Sequence, residues 1–216
     1  MSIPGDSMSK ALTWAYQIAV SGGPGFESAE ELAASYADVS GDTRSRAQRL
    51  VRWQVAKAGA TGFVTGLPGL AFLPVTVPAN VGAILAIQLR MVAAIALLAG
   101  QDPRRDQVRV FCLLCLAGDA MTQIARNAGI HLSRKVTEQV IRQVSGKTLA
   151  EINKRVGFRL ATKFGEKGVV NLGKAIPLVG GVVGATFDAV TTELVGRAAV
   201  KLFVDGPDDL APVVAA

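Results

Sequence analysis

Apolar residues recur at helical spacing along almost the whole chain, and no stretch alternates with period two for long. The run Ala11 to Val20, interrupted by Thr13, Trp14, Tyr16 and Gln17, predicts an amphipathic first helix that the SGGPG of residues 21–25 breaks. Ser28-Ala29-Glu30-Glu31 reads as a capping box, with the serine serving the N3 amide and the glutamate reaching back, so a second helix runs to about Val39. Ser40-Gly41-Asp42-Thr43 then turns the chain into a third helix carrying Leu50, Trp53 and Val55 towards Ala60.

The polar pattern stops between Lys57 and Arg90, where no side chain is charged. Pro68, Pro74 and Pro78 divide this segment, so it cannot be one straight helix. The expected form is a helical hairpin: one arm to about Gly66, a prolyl turn, and a second arm from Pro78 or Ala79 to Ala99, capped by Gly100. Two readings stay open. Residues 79–100 are long enough to span a bilayer, and Arg52, Lys57, Arg104 and Arg105 flank the hairpin as for entry from the cytosol. Against insertion stand Asn80, Gln88 and Arg90, because an arginine at a helix centre costs roughly 2.5–3.5 kcal/mol. The other reading is a central hairpin that is apolar all round because neighbouring helices cover it.

Asp102-Pro103 predicts the next helix start, with Asp as N-cap and Pro at N1, running on to Gly129. Ser133 opens another helix that ends near Ser145-Gly146, and Lys147 begins a long amphipathic one reaching Phe164. Gly165, Gly168 and Gly173 loosen the following stretch, Pro177 restarts the chain, and a last apolar helix ends at Asp205-Gly206-Pro207. The fold class expected is all-α: a single-domain bundle of about eight helices over residues 1–206, packed round the hairpin, with a flexible tail at 207–216.

Composition narrows this picture. Of 216 residues, 50% are hydrophobic and only 6% aromatic, with 23 glycines, and the mean hydropathy is +0.36. That much apolar surface excludes disorder. Small residues at i,i+4 spacing form ladders (Ala58, Gly62, Gly66 and Gly180, Gly184, Asp188, Thr192, Gly196) that let helix backbones approach closely. The close-packing glycines are thus Gly62, Gly66, Gly180 and Gly184, with self-association or a membrane-protein partner as a second use of the ladders. The first apolar run lacks the basic lead-in and clean core of a signal peptide, which points to the cytosol.

The net charge of +6 is unevenly spread. Residues 131–174 hold ten Lys/Arg against Glu138, Glu151 and Glu166, while the remainder of the chain is slightly negative. Lys147, Lys154, Arg155, Arg159, Lys163 and Lys167 lie on or just beyond the long amphipathic helix, beside a stripe of Leu149, Ile152, Val156, Leu160 and Phe164. A basic amphipathic helix suits an anionic membrane surface or lipid; a solvated outer face is the plainer reading. Nucleic acid is not the expected partner, because no recognition motif is present and the segment 131–174 offers only Phe158 and Phe164 for stacking on bases.

Isolated charges in apolar helices need partners. Arg90 is therefore expected to pair with Asp188 or Asp119 in a buried polar cluster. No catalytic, cofactor-binding or metal-ligating set is assigned. His131 is the only histidine, and Cys112 and Cys115 are too few for a zinc site and read as core. GATGFVTG lacks the Lys-Ser/Thr of a phosphate-binding loop.

The stretches SAEELA, LVRWQVAKAGATGFVTGLPGL, LPVTVPAN, QLRMVAAIA and GKTLAEINKRVGFRLATKFGEKGVVNLGKAIPLVGGVVGATFDAVTT, in this order over roughly residues 10–204, resemble the EcsC family of bacterial proteins. The resemblance brings no catalytic residues with it. The QLRMVAAIA stretch is also similar to a hydrophobic helical domain attached to some bacterial GTPases, which implies an association with membranes. The function expected is that of a non-enzymatic cytoplasmic protein, peripheral to the inner face of the membrane, associating through the basic segment and the apolar hairpin. The alternative is a soluble helical carrier holding a lipid or other apolar ligand in an internal cavity.

Overall fold

The computed structural model describes residues 4–59, 79–130, 132, 141–142, 144–164 and 180–205. These residues form eight α-helices and no strand: α1 (Gly5–Ser21), α2 (Ala29–Ala37), α3 (Thr43–Gly59), α4 (Ala79–Leu98), α5 (Asp106–Cys115), α6 (Met121–Asn127), α7 (Gly146–Phe164) and α8 (Gly180–Ala199). A π-helical turn, Val200–Asp205, continues α8.

Local signals set most boundaries. The α2 capping box forms as expected: the Glu31 amide donates to Ser28 Oγ at 3.1 Å, and the Ser28 amide donates to Glu31 Oε2 at 2.7 Å. α4 ends at the Gly100 cap, where the Gln101 amide donates to the Ala96 carbonyl at 2.9 Å. Two starts and stops differ from expectation. Asp102 holds a turn, accepting from the Arg104 amide at 2.9 Å, and α5 begins only at Asp106. Its continuation to Gly129 is broken as well. Gly118 takes φ +56°, a left-handed conformation that side-chain-bearing residues rarely adopt, and a short 3-10 turn (Gly118–Ala120) divides α5 from α6.

α4 is the hub. It packs on α1, α2, α3, α5 and α8, and every residue from Val81 to Ala96 whose side chain is described is buried. Val81–Leu98 is apolar and long enough to cross a membrane, yet 89% of it lies inside the protein. That is how a helix with no polar face reads when neighbours surround it. Arg90, buried on this helix along with Gln88, is 3% exposed. Most of the first arm of the expected hairpin, the helix expected from Ser133 apart from residues 141–142 and 144–145, and the C-terminal tail lie outside the described residues.

One continuous core runs through the bundle, with Met8 of α1, Leu50 of α3, Leu85, Leu89 and Ile95 of α4, Phe111 of α5 and Phe203 of the π turn among its largest fully buried side chains. α7 docks on the outside of this core, against α1 and α5. That position brings the basic helix to the surface.

Candidate functional site

α7 starts where the Thr148 amide donates to the Ser145 hydroxyl at 3.2 Å. Ile152, Val156 and Leu160 are buried, so the helix turns its apolar stripe inward as the sequence spacing implied. Gly157 lies beside that stripe and brings α1 close. A Cβ there would stand 3.1 Å from Ser9 Oγ of α1.

Beside this contact a groove of about 820 Å³ opens between α1, α6 and α7. Four of the six expected lipid-contact cations line it: Lys154, Arg155, Arg159 and Lys163. Phe158, from the same helix, is 72% exposed at the groove. Ser9 and Asp6 of α1 and Gln123 and Asn127 of α6 contribute the opposing walls. Of the other two cations, Lys147 is exposed in the first turn of α7, away from the groove lining, and Lys167 lies outside the described residues.

The cations are held differently. Arg155 Nε lies 2.5 Å from Glu151 Oε1 in an i,i+4 ion pair. Arg159 Nε donates to the Ala117 carbonyl at 3.2 Å, which ties the guanidinium to the turn after α5. Lys163 is half-buried, its Nζ 5.7 Å from the Phe164 ring centroid. Burial pushes the Lys163 ammonium below its ordinary pKa, and neighbouring Arg159 adds to that shift, with Asp119 opposing. Asp6 and Glu151 are the acids of the lining, so positive charge is in surplus there.

The buried polar cluster is arranged otherwise than expected. Arg90 pairs with Glu27, Nη1 to Oε2 at 3.7 Å, and not with Asp188 or Asp119. Its Nη2 donates to Gln54 Oε1 at 3.3 Å, and its guanidinium lies 4.3 Å from the Phe26 ring centroid. Helix geometry explains the difference. Residues two apart on a helix point about 200° from each other, so Gln88, not Arg90, faces α8. Gln88 Nε2 donates to Thr191 Oγ1 at 3.2 Å and to Thr192 Oγ1 at 3.3 Å, both on α8. Asp188 is half-buried on α8, and desolvation raises its pKa. Asp119 is exposed on the 3-10 turn, where its charge acts on Lys163 and Lys201.

Gly62 and Gly66 lie outside the described residues, and Gly180 and Gly184 fall in the first turns of α8. Farther along that same ladder, Gly196 makes the tight contact: a Cβ there would meet Val51 Cγ1 of α3 at 2.6 Å. Cys112 and Cys115 are buried in α5, and burial raises the Cys112 thiol to about 12. His131 is outside the described residues, among which no cluster of potential metal ligands occurs.

The α1 and α6 walls of the groove escape sequence reasoning, because nothing in the spacing places those helices beside α7. The lone Gly157 inside a strong amphipathic helix is the one signal of the α1 contact.

A family model described as the EcsC protein family matches residues 27–204, which takes in α2 to α8 and leaves out α1. No curated protein and no solved structure matches the chain.

Proposed function

The chain belongs to the EcsC family, and from that premise we propose that it is a non-enzymatic cytoplasmic protein that docks peripherally on anionic membranes. The observation that carries the reading is the gathering of Lys154, Arg155, Arg159 and Lys163 beside Phe158, a residue 72% exposed. Lysines and arginines near an anionic bilayer contribute about 1 kcal/mol each, and an aromatic ring adds apolar contact at the headgroup boundary. The burial of α4 supports docking over insertion, since covering neighbours would have to leave before that helix could enter lipid.

Vesicle flotation tests the proposal. The full chain co-floats with vesicles of phosphatidylcholine and phosphatidylglycerol at low salt, is released at high salt, and ignores pure phosphatidylcholine. Failure to float with the anionic vesicles at low salt overturns the reading.

A further inference from the structure

We infer that the groove between α1, α6 and α7 is a discrete site for a lipid headgroup carrying a phosphate monoester, held by Lys154, Arg159 and Lys163. The inference rests on the membrane-docking reading and deepens it, replacing a diffuse basic face with a site for one headgroup.

Three observations lead there. First, the cations sit in a concavity. Adsorption on a charged surface needs only a flat basic face, whereas about 820 Å³ falls within the range of roughly 300–1,000 Å³ typical of ligand sites. Second, the cations are unequal. Glu151 engages Arg155 at 2.5 Å. Arg159 is oriented by its bond to the Ala117 carbonyl, which leaves its two terminal nitrogens without a partner among the described residues. An oriented guanidinium fork matches phosphate oxygens bidentately. Lys154 is exposed on the same helix, one turn and a residue before Arg159.

Third, Arg159 and Lys163 stand one turn apart on the same groove wall, like charges that repel; burial is the chief cause of the lowered proton affinity of Lys163, and Arg159 adds to it. An anion between them relieves that repulsion, and more so if it carries more than one charge. A phosphate monoester takes its second negative charge with a pKa of about 6, whereas a diester carries one charge throughout. Phe158 selects the source of the phosphate: an exposed ring at the groove suits the glycerol and acyl region of a lipid and gives nothing to a free, fully hydrated phosphate.

The experiment compares binding of the full chain to phosphatidylcholine vesicles doped with phosphatidic acid, a monoester, or with phosphatidylglycerol, a diester, at matched surface charge. Phosphatidic acid is expected to bind about tenfold more tightly, a gap of about 1.4 kcal/mol, with the preference growing as pH rises through about 6–7. Arg159→Gln with Lys163→Gln brings the two lipids to parity and leaves residual phosphatidylglycerol binding. Lys154→Gln, at an exposed position that folding does not depend on, lowers the preference alone; Arg49→Gln, exposed on α3, removes one charge and leaves it intact.

Equal binding to both lipids by the unaltered protein overturns the headgroup site while leaving membrane docking standing. Absence of binding to either vesicle overturns both. Displacement from phosphatidic acid vesicles by stoichiometric glycerol phosphate overturns the lipid as the source.

Discussion

Gly196 of α8 faces Val51 of α3 so closely that a Cβ on residue 196 would stand 2.6 Å from Val51 Cγ1 and 2.8 Å from Cγ2. Met91 Cε of α4 closes the third side at 3.3 Å. Three helices meet at one hydrogen atom. Gly196→Ala should destabilise the protein by about 1–2 kcal/mol, since overpacking typically costs 1–3 kcal/mol and the gain in helix propensity returns up to about 1. Urea titration of the single variants and of Gly196→Ala with Val51→Ala reads the coupling. The second substitution should recover part of the first's loss, and strict additivity would refute the contact.

The Arg90–Glu27 pair is lopsided: the arginine side chain is 3% exposed and the glutamate 55%. Glu27→Gln should therefore cost under about 1 kcal/mol, as water already screens that end. Arg90→Ala removes a packed stem, strips Gln54 Oε1 of its donor and empties the space over Phe26. A loss of about 2–4 kcal/mol is expected. Equal effects of the two substitutions in chemical denaturation would count against the asymmetry.

Desolvation raises the Asp188 carboxyl above its ordinary pKa in the folded protein. The folded state then holds this proton to higher pH than the unfolded chain does. Its contribution to stability is greatest below the unfolded pKa, near 3.9, and is lost as pH rises through the folded value. Asp188→Asn should thus stabilise the protein at neutral pH and flatten this part of the acid-range profile. Melting temperatures of both proteins across acid and neutral pH check the sign; destabilisation of the variant at neutral pH would contradict it.

Cys112 and Cys115 are fully buried, and burial raises the Cys112 thiol to about 12 and Cys115 also well above its ordinary value. Neither should react with a thiol-specific chromogenic reagent while the protein is folded. Both should react once it is denatured. A fast native reaction would show that α5 opens readily.

On anionic vesicles, Lys154→Gln should weaken binding about fivefold and reduce its salt dependence, as expected for one charge worth about 1 kcal/mol. Phe158→Ala should weaken it by about tenfold through lost apolar contact, with the salt dependence unchanged. Co-sedimentation across a salt series separates the two, and identical salt slopes for both variants would argue against distinct roles.

What the sequence discloses follows the range of the interaction. The α2 capping box, the Gly100 cap and the inward stripe of α7 are local patterns, each legible within a few residues. The all-round apolar character of α4 fits burial and a bilayer equally well until the neighbouring helices are seen. Partners distant in sequence are another matter. Arg90 meets Glu27 from 63 residues away, and Gln88 meets Thr191 from 103. Charge alone suggests that Arg90 seeks a carboxylate, but which one depends on the rotation of α4 about its axis. The groove shows the same division: α7 supplies its cations in plain view, while the α1 and α6 walls come from tertiary packing.

The distance of 103 residues between Gln88 and its hydroxyl partner also has a temporal side. A ribosome adds roughly 5–20 residues per second, so α4 is complete about 5–20 s before α8 exists to cover it. During that interval the nascent chain carries a strongly apolar helix with one flank bare, the kind of transiently exposed surface that favours aggregation before folding completes. The late arrival of α8 sets how long that flank of α4 stays uncovered during synthesis.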